Sequence, residues 1–278
     1  MSQSVEQFFD NLWNDYIQLT PSAAKVHEVL GQGRAIINDH VAFRTFNIAP
    51  VRLHSLAAHF EAMGYKACGD YHFEAKKLVA KHYEHSNPQL PKIFISELLV
   101  EEFSQKLQAI VQALVAQVKP EDVAKPEFLY SGAHWQISSA DYEQLLAESE
   151  YAAWMAAFGF RANHFTVNVN ELADYASLEQ VNQTLKDAGF RLNTSGGEIK
   201  GSSEVFLEQS STLADHTVVR FSDMEKVIPS CFYEFAKRYE IAPNQLYTGF
   251  VAASADKIFE STNAKQASSA EPADSGTV

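Results

Sequence analysis

The sequence predicts an α+β protein in which two copies of a βαβββ unit form one cupped, mixed sheet. Strand-like runs begin at His40 and at His164, and an amphipathic helix follows each run. Each helix ends on a glycine, which lies 24 residues after His40 and 25 residues after His164. Alternating apolar residues, the period of a half-buried strand, follow the glycines. A repeat that keeps its phase in this way indicates two duplicated modules.

Composition excludes several classes of function. The chain has 278 residues, of which 46% are hydrophobic, enough for a sizeable core. Its formal charge of −13 would repel nucleic acid and anionic membranes. No secretory signal and no apolar run long enough to cross a bilayer is found in the sequence. Cys68 and Cys231 are too few for a disulfide framework, which favours a reducing compartment. We expect a cytoplasmic protein.

Two helices are predicted at the N-terminus (1–35). Phe8, Leu12 and Ile17 recur at helical spacing, and Thr20-Pro21 is typical of the start of a second helix. We expect both helices to pack against the core and to carry no chemistry.

The first module (36–100) begins with the strand that contains His40. An amphipathic helix follows and ends at Gly64. Segments with alternating apolar residues then predict three strands. These segments are 66–73, 78–83 and 93–99.

A helical linker (101–160) leads to the second module (161–262). There, Ser177 followed by Gln180 predicts the start of the helix that Gly189 ends. The loop at 195–202 contains three glycines and could cover a site, although a hairpin turn is the commoner use of such a loop. The remaining predicted strands are 191–193, 205–210, 216–221 and 231–235.

These modules and helices predict a single metal-binding catalytic domain over residues 1–262. The stretch 263–278 is rich in Ala, Ser, Glu and Asp, with no large apolar residue before Val278. Such a composition predicts a disordered tail.

The repeated histidines indicate a metal centre. His40 and His164 open the first strand of each module, and Glu234 lies in the last predicted strand of the second. Two such modules resemble the vicinal oxygen chelate architecture, in which the first and last strands supply the ligands of a divalent metal. Two imidazoles and one carboxylate leave coordination positions open, which suits iron(II) binding a chelating substrate and dioxygen.

Each of these residues also has a simpler interpretation. Single histidines at strand starts are commonly structural. Glu234 could lie in a helix and pair with Arg238 four residues on. Glu97, in the last strand of the first module, is a possible fourth ligand that would make the site resemble that of a lyase or isomerase. The alternating pair His82 and Glu84 is best explained as a solvated strand face.

Four segments together resemble one family, the 2-oxoadipate dioxygenase/decarboxylases, also called hydroxyglutarate synthases. The segments are 40–45, 163–166, 207–212 and 232–235. The similarity runs from about Phe9 to the segment 254–259. It implies an iron(II) enzyme that converts 2-oxoadipate and dioxygen into 2-hydroxyglutarate and carbon dioxide, a step of lysine breakdown.

The resemblance also implies roles for individual residues. His40, His164 and Glu234 match the family's metal ligands, and Arg44 matches its substrate-binding arginine. Arg44 lies four residues along the strand from His40 and therefore on the same face, where its guanidinium could bind a carboxylate through two hydrogen bonds. The alternative is that Arg44 forms a salt bridge with an acidic residue at the surface. In addition, we expect Gln209 and Tyr233 to line the substrate cavity.

From this resemblance we also expect the chain to be shorter than the better-understood members and to lack a more C-terminal segment that contributes to their pocket. We therefore expect the distal end of its substrate site to differ.

Three functions stay open at this point: the iron(II) dioxygenase, a non-redox glyoxalase-like lyase or isomerase, and a binding protein of the same fold that holds a small molecule without turnover. The sequence carries no signal for the oligomeric state.

Overall fold

The computed structural model describes residues 4–262, and the predicted tail at 263–278 lies outside them. The α-helices of this part of the chain are α1 (Val5–Leu19), α2 (Pro21–Gly31), α3 (Leu53–Ala62), α4 (Gln105–Val115), α5 (Pro120–Val123), α6 (Ser139–Glu148), α7 (Glu150–Phe158), α8 (Leu178–Asp187) and α9 (Ala252–Ile258). The strands are β1 (Asn38–Phe46), β2 (Lys66–Phe73), β3 (Leu78–Glu84), β4 (Lys92–Leu98), β5 (Ala162–Asn168), β6 (Lys200–Ser202), β7 (Leu207–Ser211), β8 (His216–Arg220), β9 (Glu225–Pro229), β10 (Phe232–Arg238), β11 (Glu240–Ala242) and β12 (Gln245–Leu246).

An eight-stranded mixed sheet forms the centre of the protein. Its strand order is β2-β3-β4-β1-β5-β10-β7-β6. In each half a first strand pairs in parallel with the last strand of its own module, β1 with β4 and β5 with β10. The halves meet where β1 and β5 pair antiparallel, so the two modules are related by a pseudo-twofold axis. The predicted α+β class and the cupped sheet of two modules are confirmed.

Local sequence signals fix the helices that follow β1 and β5. α3 is followed by Gly64 at φ +98° and α8 by Gly189 at φ +88°, the left-handed conformation that glycine adopts at helix ends. Ser177 accepts a hydrogen bond from the backbone N–H of Gln180, as the capping pattern predicts. The repeat in the sequence is therefore a repeat of backbone geometry.

The N-terminal helices cover one face of the sheet. Phe8, Leu12 and Tyr16 of α1 are fully buried, and the Tyr16 hydroxyl donates a hydrogen bond to the backbone carbonyl of Phe232. The indole of Trp13 packs edge-on against Phe165 of β5. These helices hold β5 and β10 from behind and leave the other face of both strands for the site.

One predicted strand of the second module is wrong, and another lies outside the main sheet. Residues 191–193 form no strand, apart from one bridge between Leu192 and Thr212, and β6 takes the edge position instead. The segment predicted at 216–221 forms β8, which pairs only with β9 in a separate hairpin. Val218 faces Val227 there, and the two side chains are 59% and 66% exposed. Alternation of apolar residues predicts a strand but does not specify the sheet that the strand joins. Here β8 pairs with β9 across a short turn and not with the eight-stranded sheet.

The predicted helical linker (101–160) contains four α-helices, α4 to α7. A 3₁₀ turn at Val100–Glu102 precedes α4. Ser149 ends α6 and caps α7. Within residues 4–262 no helix combines the length and apolar character needed to span a membrane.

Gly159 and Gly189 offer a matched test of backbone constraint. Gly159, which ends α7 and leads into β5, has φ +65°, and a Cβ there would lie 2.3 Å from the carbonyl oxygen of Gly132. At Gly189 a Cβ would meet nothing within 4 Å. We expect Gly189→Ala to lower the free energy of unfolding by about 1 kcal/mol and Gly159→Ala by at least about 2 kcal/mol more. Urea denaturation measures both values, and equal losses would contradict this account.

Candidate metal centre

Three adjacent strands bring His40, His164 and Glu234 together. His40 on β1 and Glu234 on β10 both lie opposite Thr166 of β5, and His164 lies opposite Ala42. Residues paired in this way project from the same face of a sheet. Since Thr166 and Ala42 are small, the three longer side chains converge above them.

The three side chains form a compact, buried group. His164 Nε2 lies 3.1 Å from one carboxylate oxygen of Glu234, and His40 Nε2 lies 3.6 Å from the other. A set of ligand atoms, one from each residue, falls within 4.8 Å of one another. All three residues are at most 4% exposed. This is the spacing at which one ion can contact all three.

The residue before each histidine fixes the orientation of its ring. His40 Nδ1 donates to Asp39 at 2.8 Å, and His164 Nδ1 donates to Asn163 at 3.0 Å. Each Nδ1 is thus occupied, and each Nε2 is directed at Glu234, an arrangement common around protein-bound metals. His40 Nε2 also lies 3.0 Å from the hydroxyl oxygen of Thr166. Asp39 and Asn163 were not among the predicted site residues, although the Asx-His pair that occurs in each module is a sequence signal for them.

A buried ion pair supports the histidine on β1. Asp39 accepts hydrogen bonds from Arg238 at 2.6 and 2.8 Å, in the bidentate geometry that is strong in a low-dielectric interior. The other end of the guanidinium donates to the backbone carbonyls of Tyr247 and Gly249. Arg238 therefore ties His40, through Asp39, to the loop that carries the next residue, Phe250.

The electrostatics keep the carboxylate ionised. Burial alone would raise the pKa of Glu234, but His40 and His164 lower it to about 2. Burial lowers the pKa of His164 and is only partly opposed by Glu234. For His40, burial is outweighed by Glu234 and by the hydrogen bond to Asp39, so its pKa is raised. A permanently negative carboxylate between two imidazoles attracts a cation.

These donors fit a divalent transition metal. Two imidazole nitrogens and one carboxylate, all on one side, are the facial triad found in non-haem iron(II) oxygenases. A hydrogen bond also holds each of the three side chains in place. His40 donates to Asp39, His164 donates to Asn163, and Glu234 accepts from Gln209 Nε2 at 2.6 Å.

A small cavity of about 20 Å³ adjoins the three candidate ligands. Gln209 lines it as predicted, and its Oε1 is buried with no hydrogen-bond partner in the described part of the chain. Helix α9 and the 3₁₀ turn that follows it at Phe259–Thr262 close the cavity. The remaining lining residues are Phe94, Phe250, Ala255, Ile258 and Phe259.

Arg44 lies on the predicted face of β1 but beyond the cavity. Its guanidinium is buried, donates to Glu150 at 3.3 Å and to Thr262 at 3.2 Å, and leaves Nε without a partner among residues 4–262. It also stacks near the ring of Phe259, which lines the cavity, at 5.6 Å. Phe259 therefore contacts Arg44 and also lines the cavity beside the candidate ligands.

The placement of Tyr233 contradicts its predicted role. Strand residues alternate between faces, so the neighbour of Glu234 must point away from the site. Tyr233 Oη instead donates to Asn38 at 2.9 Å and lies 2.7 Å from His27 Nε2, beneath the N-terminal helices. The helical alternative for Glu234 is also wrong, because Glu234 lies in β10.

Glu97 is not part of the site. It lies opposite Thr45, and its carboxylate accepts the backbone N–H of Leu53 at 2.8 Å, at the start of α3. The position related to Glu234 by the pseudo-twofold axis is the residue opposite Ala42, which is Phe94. An apolar ring therefore stands where a fourth ligand would lie.

Comparisons with known proteins agree on one family. A family model described as 2-oxoadipate dioxygenase/decarboxylase matches residues 11–244. The chloroplastic 2-oxoadipate dioxygenase/decarboxylase of Arabidopsis thaliana is 33% identical over 95% of this chain and 80% of its own length.

Two crystal structures are similar throughout. A presumed hydrolase from Shewanella frigidimarina is 60% identical, with a TM-score of 0.88 over 91% of this chain and all of that one. The hydroxyglutarate synthase of Oryza sativa, in complex with 2-oxoadipate, is 34% identical, with a TM-score of 0.88 over 94% of this chain and 92% of that one.

Glu97 and Glu234 provide a paired test of the ligand set. Glu97→Ala removes the cap of α3 and should cost about 1 kcal/mol of unfolding free energy without changing metal affinity. Glu234→Ala should abolish tight metal binding. Calorimetric titration of both variants with iron(II) under anaerobic conditions measures the affinities. A loss of affinity in Glu97→Ala comparable to that in Glu234→Ala would contradict this assignment.

Proposed function

Because the chain belongs to the 2-oxoadipate dioxygenase/decarboxylase family, we propose that it is an iron(II) enzyme that converts 2-oxoadipate and dioxygen into 2-hydroxyglutarate and carbon dioxide. The buried group of His40, His164 and Glu234 is the observation that carries the proposal. Its donors match those that bind iron(II), and the cavity lies beside them.

The metal ligands and their supports would divide the work as follows. Iron(II) held by His40, His164 and Glu234 would supply the redox chemistry with dioxygen and the open positions for a chelating 2-oxo acid. Asp39 and Asn163 keep the two imidazoles in the orientation that presents Nε2.

Arg44 is proposed to bind the carboxylate of the substrate that is farther from the keto group. Four residues of strand separate it from His40, about 13 Å, which leaves room for an extended diacid between guanidinium and metal. In the structure Thr262 and Glu150 occupy its donors. A substrate carboxylate would replace the neutral hydroxyl of Thr262 with a stronger, charge-assisted acceptor.

Binding of the acid requires the turn at Phe259–Thr262, which follows α9, to move. A cavity of about 20 Å³ has room for one water molecule, far less than a dicarboxylic acid needs. Phe259 lines the cavity and contacts Arg44, and Thr262 holds Arg44 from the same turn. Displacing this turn would open the cavity toward the guanidinium of Arg44. Its return over the bound acid would exclude water from the site.

The lyase alternative has less support, because Phe94 occupies the symmetric position and Glu97 caps a helix. The cytoplasmic location and the place in lysine breakdown stay predictions.

The experiment that tests the function is dioxygen uptake by anaerobically iron-loaded protein with 2-oxoadipate. We expect uptake coupled to carbon dioxide release, and loss of both in His164→Ala because a metal ligand is removed. His216→Ala is the matched control, since His216 is exposed in the separate hairpin. Its rates should equal those of the unaltered protein.

Absence of uptake with 2-oxoadipate and with shorter and longer 2-oxo acids would overturn the oxygenase. Tight acid binding that survives His164→Ala would instead indicate a binding protein.

Arg44→Lys tests the role of the guanidinium. Because lysine cannot bind a carboxylate in the bidentate mode, we expect the KM for 2-oxoadipate to rise about tenfold or more, which corresponds to about 1.4 kcal/mol. The KM for 2-oxohexanoate, which lacks the second carboxylate, should stay the same. Steady-state kinetics with the two acids measure this difference, and an equal rise for both would contradict the assignment.

Phe94→Glu would place a carboxylate opposite Glu234 across the pseudo-twofold axis. We expect metal to raise the melting temperature of this variant more than that of the unaltered protein, since the ion compensates a buried charge. Dioxygen uptake should be lost, because a protein ligand fills an open position. Phe94→Leu is the control and should keep its uptake. Full uptake by Phe94→Glu would show that Phe94 does not face the metal.

A further inference from the structure

A second group of potential ligands lies on strands β2 and β3. Cys68, His82 and Glu84 each present one ligand atom, and these atoms lie within 4.8 Å of one another. The predicted solvated strand face of His82 and Glu84 is wrong for His82, which is only 2% exposed.

A β-bulge brings the cysteine to the group. Ala67 pairs with Tyr83 and Gly69 pairs with His82, so Cys68 is an extra residue between the two pairs. A bulge changes the direction of a side chain relative to the regular alternation. Gly69 is required beside it, because a Cβ there would lie 2.8 Å from His82 Nδ1. Cys68 is exposed and free, so an ion can reach it from solvent.

The imidazole of His82 is oriented as the imidazoles of the first site are. Its Nε2 lies 2.9 Å from the carboxylate of Glu84. Its Nδ1 lies 2.8 Å from the hydroxyl oxygen of Tyr71, which can accept a hydrogen bond from Nδ1–H when Nε2 binds a cation. In both groups, then, a buried histidine has Nδ1 held by a neighbour and Nε2 directed at a carboxylate.

We propose that Cys68, His82 and Glu84 form a second metal site, which binds a thiophilic divalent cation such as Zn²⁺. A thiolate, an imidazole and a carboxylate are the donors that zinc takes in proteins, and three protein ligands leave a fourth position for water. Lys92 lies near Cys68 and Glu84 and adds positive charge. Weakly bound hard cations would therefore be excluded, whereas an ion that bonds to a thiolate would still bind.

The second site adjoins a wall of the first. Tyr71 Oη, which faces His82, also accepts the backbone N–H of Phe250 at 3.1 Å. The ring of Phe250 lies between His82 and His40, with centroid distances of 5.3 and 4.8 Å. A cation on His82 would thus fix the hydrogen bond that positions Phe250 beside the first metal centre.

Cobalt(II) is the probe for this site, because a thiolate bound to it gives a charge-transfer absorption that the His-His-Glu donors cannot give. We expect this absorption when metal-free full-length protein is titrated with Co²⁺. It should persist in His164→Ala, which disables the first site, and disappear in Cys68→Ser. Glu84→Gln should weaken the affinity of the second site about tenfold or more.

Cys231→Ser controls for the other thiol and should keep the absorption. No thiolate absorption at cobalt concentrations that saturate the first site would overturn the proposal. So would an absorption that survives Cys68→Ser. Because Cys68 is exposed, its replacement by serine is compatible with folding, and circular dichroism of the variant verifies this.

Discussion

The antiparallel pairing of β1 with β5 is the contact on which the rest of the structure depends. Neither module can form the group of His40, His164 and Glu234 by itself, since each module supplies one of the two histidines. The register that places His164 opposite Ala42 and His40 opposite Thr166 brings the two imidazoles to one face. A shift by one residue would turn one histidine to the helical side. The parallel pairing of β10 with β5 then adds Glu234 in the same row.

Burying these charges imposes a second constraint. A carboxylate and two imidazoles that are almost inaccessible to water must be compensated by hydrogen bonds and by opposite charge. Glu234 accepts a hydrogen bond from Gln209. Asp39 accepts hydrogen bonds from His40 and from the guanidinium of Arg238. This network also reaches the loop that carries Phe250, so the polar supports of the site and its apolar wall are one connected unit. The pseudo-twofold axis is not exact here, because Asp39 has a charged partner whereas Asn163 has none among residues 4–262.

Much of the fold and the three candidate ligands could be predicted, because both depend on local patterns. Alternation, helical spacing and the positions of Gly64 and Gly189 repeat in the chain, and the histidines repeat with them. What failed depends on register and on contacts distant in sequence. Glu97 lies three residues beyond Phe94, the true counterpart of Glu234, and so faces the other side of the sheet. The cover formed by α9 and the partners of Arg44 come from chain segments that no local pattern connects to β1.

The position of iron can be measured in crystals of iron-loaded protein grown anaerobically with 2-oxoadipate, by anomalous scattering at the iron edge. We expect one strong peak at coordination distance from His40 Nε2, His164 Nε2 and a carboxylate oxygen of Glu234, with the acid on its open side. A peak that lacks any of these three ligands, or that includes Glu97, would contradict this ligand set.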